Sequence, residues 1–232
     1  MVKKYLVTTA DESTWPKDNP IVFLGEWCKR YPRKDYWESF ASDTVNYHWH
    51  NAEKMQQDYE YLQDIYERLL IELSSHLNTV HGVNHPLKYW RMIIGPWLGS
   101  FIHIIFDRLS MLEIAMDEYD LKSCKVHSNK LANFIPNDML SYAVFTRSDS
   151  WNEFIFGQLL TENNNIEIEL LPQKSNNRVI SSEFKYQNNQ SLFRRTLIKV
   201  FNFYKKASYF LVKKEEHFFI STYLPFFFDQ KL

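Results

Sequence analysis

Glycine is scarce in this chain, with 5 in 232 residues. No Walker loop and no G-x-G-x-x-G run occurs, so a glycine-rich phosphate cradle is excluded. Cysteine is scarcer still: Cys28 and Cys124 are too far apart to form a metal-spaced pair. Reduced thiols are the expectation. Charge of one sign is also lacking, since 27 Lys and Arg stand against 28 Asp and Glu for a net charge of −1. Nothing therefore pulls the whole molecule toward nucleic acid. The apolar run behind Met1-Val2-Lys3-Lys4 is too short for a signal peptide. Met92 to Phe106 is mostly apolar but interrupted by Gly95-Pro96, and it falls short of the roughly 20 residues that span a bilayer. A buried core helix is expected there, in a cytoplasmic protein.

What the chain has in quantity is aromatic surface: 18 Phe, 14 Tyr and 7 Trp. Aromatics serve large cores, interfaces and sugar-stacking surfaces alike. Tyr5 to Ala10 and Ile21 to Leu24 are continuous apolar or β-branched runs, which suits strands buried on both faces of a parallel sheet. Val45 to Trp49 is a shorter β-prone piece. Asn51 then opens a long helix as N-cap, and Gly82 closes it. Between them Met55, Tyr59, Leu62, Tyr66, Leu69, Leu73, Leu77 and Val80 form one apolar stripe, expected to pack in the core. Pro86 opens a second long helix with a predicted kink at Gly95-Pro96. Pro136-Asn137-Asp138 and Asp149-Ser150 open further helices, and Ile166 to Leu171 alternates like a strand. Residues 173–190 are loop-rich, Ser191 to Ala207 is a basic amphipathic helix, and His217 to Pro225 reads as a last strand. Strands interleaved with helices predict an α/β fold, a Rossmann-like layered sheet with long helices.

Ligands of such sheets bind at the carboxyl ends of strands, which directs attention to Thr9 after the first strand and to Glu26 and Trp27 after the second. Glu26, a carboxylate beside an aromatic, suits a general base, and so does His48; an ion pair with Arg30 or Arg33 is the plainer role for Glu26. His48 and His50 flank Trp49, but no third ligand has metal spacing, so no metal is expected. His81 and His85 bracket the turn between the two long helices. Arg91 sits on an apolar helix, where a guanidinium needs a partner: an anionic ligand, or Glu26 or Asp107. Arg194, Arg195, Lys199, Lys205 and Lys206 form a basic face that suits either solvent or an anionic lipid-linked acceptor.

Several segments together resemble one family. They are Thr8-Thr9-Ala10 with Thr14-Trp15, Phe23-Leu24-Gly25-Glu26-Trp27-Cys28, Tyr47-His48-Trp49, and His81-Gly82-Val83-Asn84-His85 with Tyr89-Trp90-Arg91 and Ile94-Gly95-Pro96-Trp97-Leu98. These resemble the transferases encoded in bacterial O-antigen and surface-polysaccharide gene clusters, most strongly from residue 5 to Arg108. Thr222-Tyr223-Leu224-Pro225 looks like a further family segment. The resemblance implies a glycosyltransferase-like enzyme built like two-domain (GT-B-like) glycosyltransferases. Residues 1–232 would form a single α/β domain, the N-terminal acceptor-side half, incomplete without a C-terminal half as partner. It implies a nucleotide-sugar co-substrate with no other cofactor. The acceptor would be a saccharide or lipid-linked molecule, at the inner face of the membrane. On this basis Glu26 and His48 are the expected catalytic residues, and Thr9, Trp27, Arg91 and His85 the expected substrate contacts. A non-catalytic protein-interaction domain or a decayed gene product is the alternative.

Overall fold

The computed structural model describes residues 3–163 and 166–173, within a compact unit that runs from Met1 to Lys174. The strands are β1 (Lys4–Val7), β2 (Ile21–Phe23) and β3 (Ser42–Thr44), with a single-turn helix α1 (Lys34–Trp37) between the last two. Two long helices follow, α2 (Ala52–His81) and α3 (Leu87–Glu118). Then come β4 (Leu121–His127), α4 (Met139–Phe145), α5 (Asp149–Asn163) and β5 (Glu167–Leu171). The five strands make one parallel sheet in the order β3-β2-β1-β4-β5. This is the layered α/β fold that the buried apolar strands predict.

The period of two in β1 divides the core. Leu6 turns to one face, where Val22, Cys124, Met111, Leu112, Phe156 and Leu160 join strands to the ends of α3 and to α5. Tyr5 and Val7 turn to the other, where Ile21, Phe23, Trp15 and Cys28 pack. Both cysteines are buried and free. Burial pushes the Cys28 thiol well up and the Cys124 thiol up to about 12, so both are inert as nucleophiles.

The long helices behave differently from the expected core pair. At 1.5 Å per residue α2 is about 45 Å long, far longer than the sheet is tall. Only the last turns of α3 reach the sheet core. The rest of α3 and all of α2 form an antiparallel hairpin, an arm with its own small core of Leu62, Leu70, Leu98 and Ile102. Asn51 caps α2 by accepting from the Glu53 and Lys54 amides, and Gly82 ends it at φ 63°, a left-handed conformation that suits glycine. The α2 stripe, however, does not pack as one core face. Met55 is 49% exposed and Val80 62%, because α3 covers only one side of α2. The same holds for the apolar part of α3, where Met92 is 72% and Ile93 59% exposed. Helix α3 also runs unbroken through Pro96. At Gly95 the arm closes tightly, since a Cβ there would stand 2.6 Å from the Tyr66 hydroxyl.

Two further differences concern strands. Residues 45–49 form the loop after the edge strand rather than a strand, which lies at Ser42–Thr44. Strand β4 goes unpredicted, its alternation masked by Lys122, Ser123 and Lys125. Apart from Gln173, the loop read at 173–190 lies outside the described residues, as do the basic helix at 191–207, the strand at 217–225 and Thr222-Tyr223-Leu224-Pro225.

Burial along α2 makes a direct prediction. Leu70→Ala, at a fully buried site in the arm core, should lower the unfolding free energy by about 2–4 kcal/mol. Met55→Ala should change it by no more than about 0.5 kcal/mol. Urea denaturation of the two variants distinguishes this arm from a fully packed core helix, in which both would be costly.

Candidate active site

Strand order reverses at β1: the chain next lays β2 on one side of it and later β4 on the other. Reversals of this kind open a crevice at the carboxyl ends of the strands. In this sheet the position that would floor such a crevice is the end of β1, Thr8 and Thr9, both with buried side chains. Two indoles satisfy their carbonyls. The Trp27 Nε1–H donates to the Thr8 carbonyl at 2.9 Å, and the Trp15 Nε1–H donates to the Thr9 carbonyl at 3.2 Å. Trp15 is core, edge-on to Phe23 and stacked on Tyr36. Trp27 stays 41% exposed, held at the crevice rim. Gly25 makes room for it, since a Cβ on Gly25 would lie 2.2 Å from the Trp27 ring.

On the other side of β1, His127 ends β4 and α5 sets Glu153 against it. The Ser148 hydroxyl caps α5 by accepting from the Trp151 amide. Glu153, only 2% exposed, accepts at Oε1 from the His127 backbone amide and sits 2.9 Å from His127 Nδ1. Burial is the main influence on the Glu153 carboxyl and raises its pKa, although both contacts with His127 pull it down. The other ring nitrogen, Nε2, faces the exposed Ser13 hydroxyl at 3.4 Å. That hydroxyl donates to Asp11 Oδ1 at 2.6 Å, and Asp11 also takes the Ser13 amide at 3.1 Å as N-cap of a short helical turn. Glu153 holds the ring at Nδ1, and the Ser13 hydroxyl stands beside Nε2 with its own proton directed at Asp11. The His127 ring is thus held in one orientation by a buried carboxyl group.

Asp11, His127 and Glu153 also bring ligand-type atoms within 4.8 Å of one another. A cation on all three would have to replace the Nδ1···Oε1 hydrogen bond. Their geometry favours proton handling over metal binding.

The expected site residues do not gather in this crevice. Thr9 forms part of its floor, but its hydroxyl is buried and lies 3.4 Å from the Asp11 amide. Trp27 is at the rim. Glu26, beside it, is 79% exposed and ion-paired with Lys29 at 2.7 Å, so its partner is neither Arg30 nor Arg33; those bind Asp149 and Glu12. His48 is 1% exposed and belongs to a separate polar network. Its Nε2 lies 3.1 Å from Asp107 Oδ1, which also accepts from the Tyr47 hydroxyl at 2.8 Å. Arg108 binds the second oxygen of Asp107 and reaches Asn152 of α5 at 2.9 Å. Nδ1 of His48 has no hydrogen-bond partner among the described residues, with Asp58 4.0 Å away. Arg91 is no buried cation: it grips Glu67 of α2 through both terminal nitrogens, at 2.5 and 2.6 Å. Sixteen residues separate it from Asp107, about 24 Å along α3. His85 lies beyond it at the arm tip, stacked on Tyr89.

Ser13, His127 and Glu153 escaped the sequence reading. His127 and Glu153 become visible only once β4 is seen as a strand, because a histidine at a strand end is then a site residue by position. A stability measurement tests the buried carboxyl. A raised pKa means that ionised Glu153 is the costly form. Its favourable contribution is present below the ordinary carboxylate range, about pH 4, and is lost as pH rises through the raised value. Wild-type stability relative to Glu153→Gln should therefore fall with rising pH, measured by urea unfolding from pH 4 to 8. A difference that does not change with pH would contradict the assignment.

No curated protein and no solved structure matches the chain. One family model does, described as LIC12162 family transferase, over residues 4–232. The match takes in both sides of the crevice and the whole arm, and on that span the chain belongs to the LIC12162 family of transferases.

Proposed function

We propose that the chain is the acceptor-side part of a glycosyltransferase-like enzyme of bacterial surface-polysaccharide (O-antigen) assembly. It would act at the cytoplasmic face of the inner membrane, with a nucleotide-sugar as donor and a saccharide or lipid-linked acceptor. The observation that carries this reading is His127, locked by buried Glu153 and offering Nε2 toward the exposed rim of the crevice. Transfer of a sugar needs an acceptor hydroxyl to lose its proton as its oxygen attacks the anomeric carbon and the nucleoside diphosphate leaves. With Nδ1–H on Glu153, Nε2 would take that proton while the Glu153 carboxyl holds the ring in place, which makes Glu153 a positioning residue. His127 suits this role better than His48, which is sealed in the interior, or Glu26, whose carboxylate is engaged by Lys29.

Trp27 supplies the second half of the site. Its fixed, part-exposed indole is bonded to the end of β1, the strand beside the one that His127 ends. A pyranose ring stacked on it would bring a hydroxyl toward β4. Thr9 contributes the floor of the crevice.

Nucleoside diphosphate release from a panel of nucleotide-sugars, with and without pyranoside acceptors, tests the reading. His127→Gln should lower kcat by about 10²–10⁴-fold with KM nearly unchanged. Gly25→Ala, which must displace the Trp27 ring, should raise the acceptor KM and leave kcat close to wild type. Retention of full activity by His127→Gln would remove the proposed base.

A further inference from the structure

We propose that the distal end of the α2–α3 arm docks on an anionic lipid bilayer. Tyr89, Met92, Ile93 and Pro96 are all exposed and recur at helical spacing, so they share one face of α3. Val80 and Val83 extend the exposed apolar surface to the turn. The stretch lies within a helix long and apolar enough to cross a membrane by length and composition, yet only 22% of its most apolar window is buried. A soluble core helix would hide that window; here it is left open.

Charge selects the occupant. The chain carries 28 Asp and Glu, but none falls between Glu72 and Asp107. The whole turn of the arm and the outer half of α3 are therefore free of acid. The charges in that interval are Lys88, exposed, and Arg91, held on Glu67. An apolar face bordered by aromatic rings and the exposed Lys88, on a stretch of chain without carboxylates whose neighbouring Glu67 is neutralised by Arg91, complements a bilayer whose headgroups are negative.

The tip is also built in advance. Asn78 accepts from the His85 amide at 3.0 Å and from Trp90 Nε1 at 2.9 Å, and donates to the His85 carbonyl at 3.0 Å. Gly82 adds the left-handed cap. Docking then orders no new backbone, which removes a common cost of interfacial binding.

This inference rests on the arm surface and not on the transfer chemistry, so its test needs no substrate. The full chain is sedimented with vesicles of equal parts phosphatidylglycerol and phosphatidylcholine, and with phosphatidylcholine alone. Wild type should bind the anionic vesicles, less tightly as salt is raised. Met92→Glu with Ile93→Glu should weaken that binding by about tenfold or more, with far-UV circular dichroism unchanged. Val83→Glu at the turn serves as a second, independent variant. Arg194→Glu with Arg195→Glu, in the basic segment read from sequence, should leave most of the binding in place. The proposal is overturned if wild type ignores anionic vesicles or if both arm variants bind as wild type does. It is equally overturned if the arm variants only convert a dimer to a monomer in sedimentation velocity, since a second copy would then be the occupant.

Discussion

The structure depends on a reversal of direction at one short strand. β1 is central, with β2 hydrogen-bonded on one side and β4 on the other. Connections leaving its carboxyl end must diverge, and the gap between them cannot be filled by the sheet itself. Parallel strands also need cover on both faces, which the core under Trp15 and the ends of α3 with α5 provide. Once those covers are in place, the end of β1 becomes a floor with walls. Carbonyls there have run out of ladder partners and lie where water is scarce. The indoles of Trp15 and Trp27 supply the donors, and in doing so they fix the two rings. An interaction that meets a backbone requirement thus also leaves an aromatic face at the rim of a crevice.

A second constraint is the junction where the arm leaves the sheet. Tyr47, His48, Asp107, Arg108 and Asn152 come from the loop after β3, from α3 and from α5. Buried charge of this kind is costly unless every oxygen and nitrogen is engaged, and replacing it by apolar residues is often neutral in stability. Its use here is geometric, because it fixes the angle at which α3 departs from the core. Asn152 precedes Glu153 on α5, so the same short helix anchors the arm junction through one residue and His127 through the next. The Tyr47 hydroxyl illustrates the electrostatics: burial and the Asp107 carboxylate both push its pKa well up, keeping it a donor.

Much of the fold was legible because single residues fixed it locally. Asn51 and Gly82 bounded α2, the buried runs at β1 and β2 announced a parallel sheet, and Glu167–Leu171 alternated as a strand should. Periodicity alone could not say what α2 packs against. Its stripe has the spacing of a core face, yet α3 is its partner and the remaining side is bare. β4 was hidden because Lys122 and Lys125 break its apolar pattern; the Lys122 ammonium bonds the Tyr5 hydroxyl and the Lys125 ammonium sits over the Tyr5 ring. The site shared that fate. Trp27 and Thr9 were read from strands that were seen, whereas His127 and Glu153 hang on the strand that was not. Arg91 looked buried because its neighbours in sequence are apolar, but in an arm an apolar neighbour is no guarantee of burial.

The scarcity of glycine bears on what the crevice can hold. A phosphate cradle gathers backbone amides around an anion, and glycine lets the chain approach closely enough to do so. At the end of β1 the groups that turn inward are carbonyls, already taken by indole N–H groups. Three cations on the β2 side are engaged as well: Lys29 with Glu26, Arg30 with Asp149 and Arg33 with Glu12. Such a floor has little to offer a diphosphate. It has an aromatic face at Trp27 and a histidine fixed by Glu153, which on the proposed reading would hold a neutral sugar and remove one of its protons. On the proposed reading it is the acceptor, rather than the donor's phosphates, that would lie against this sheet.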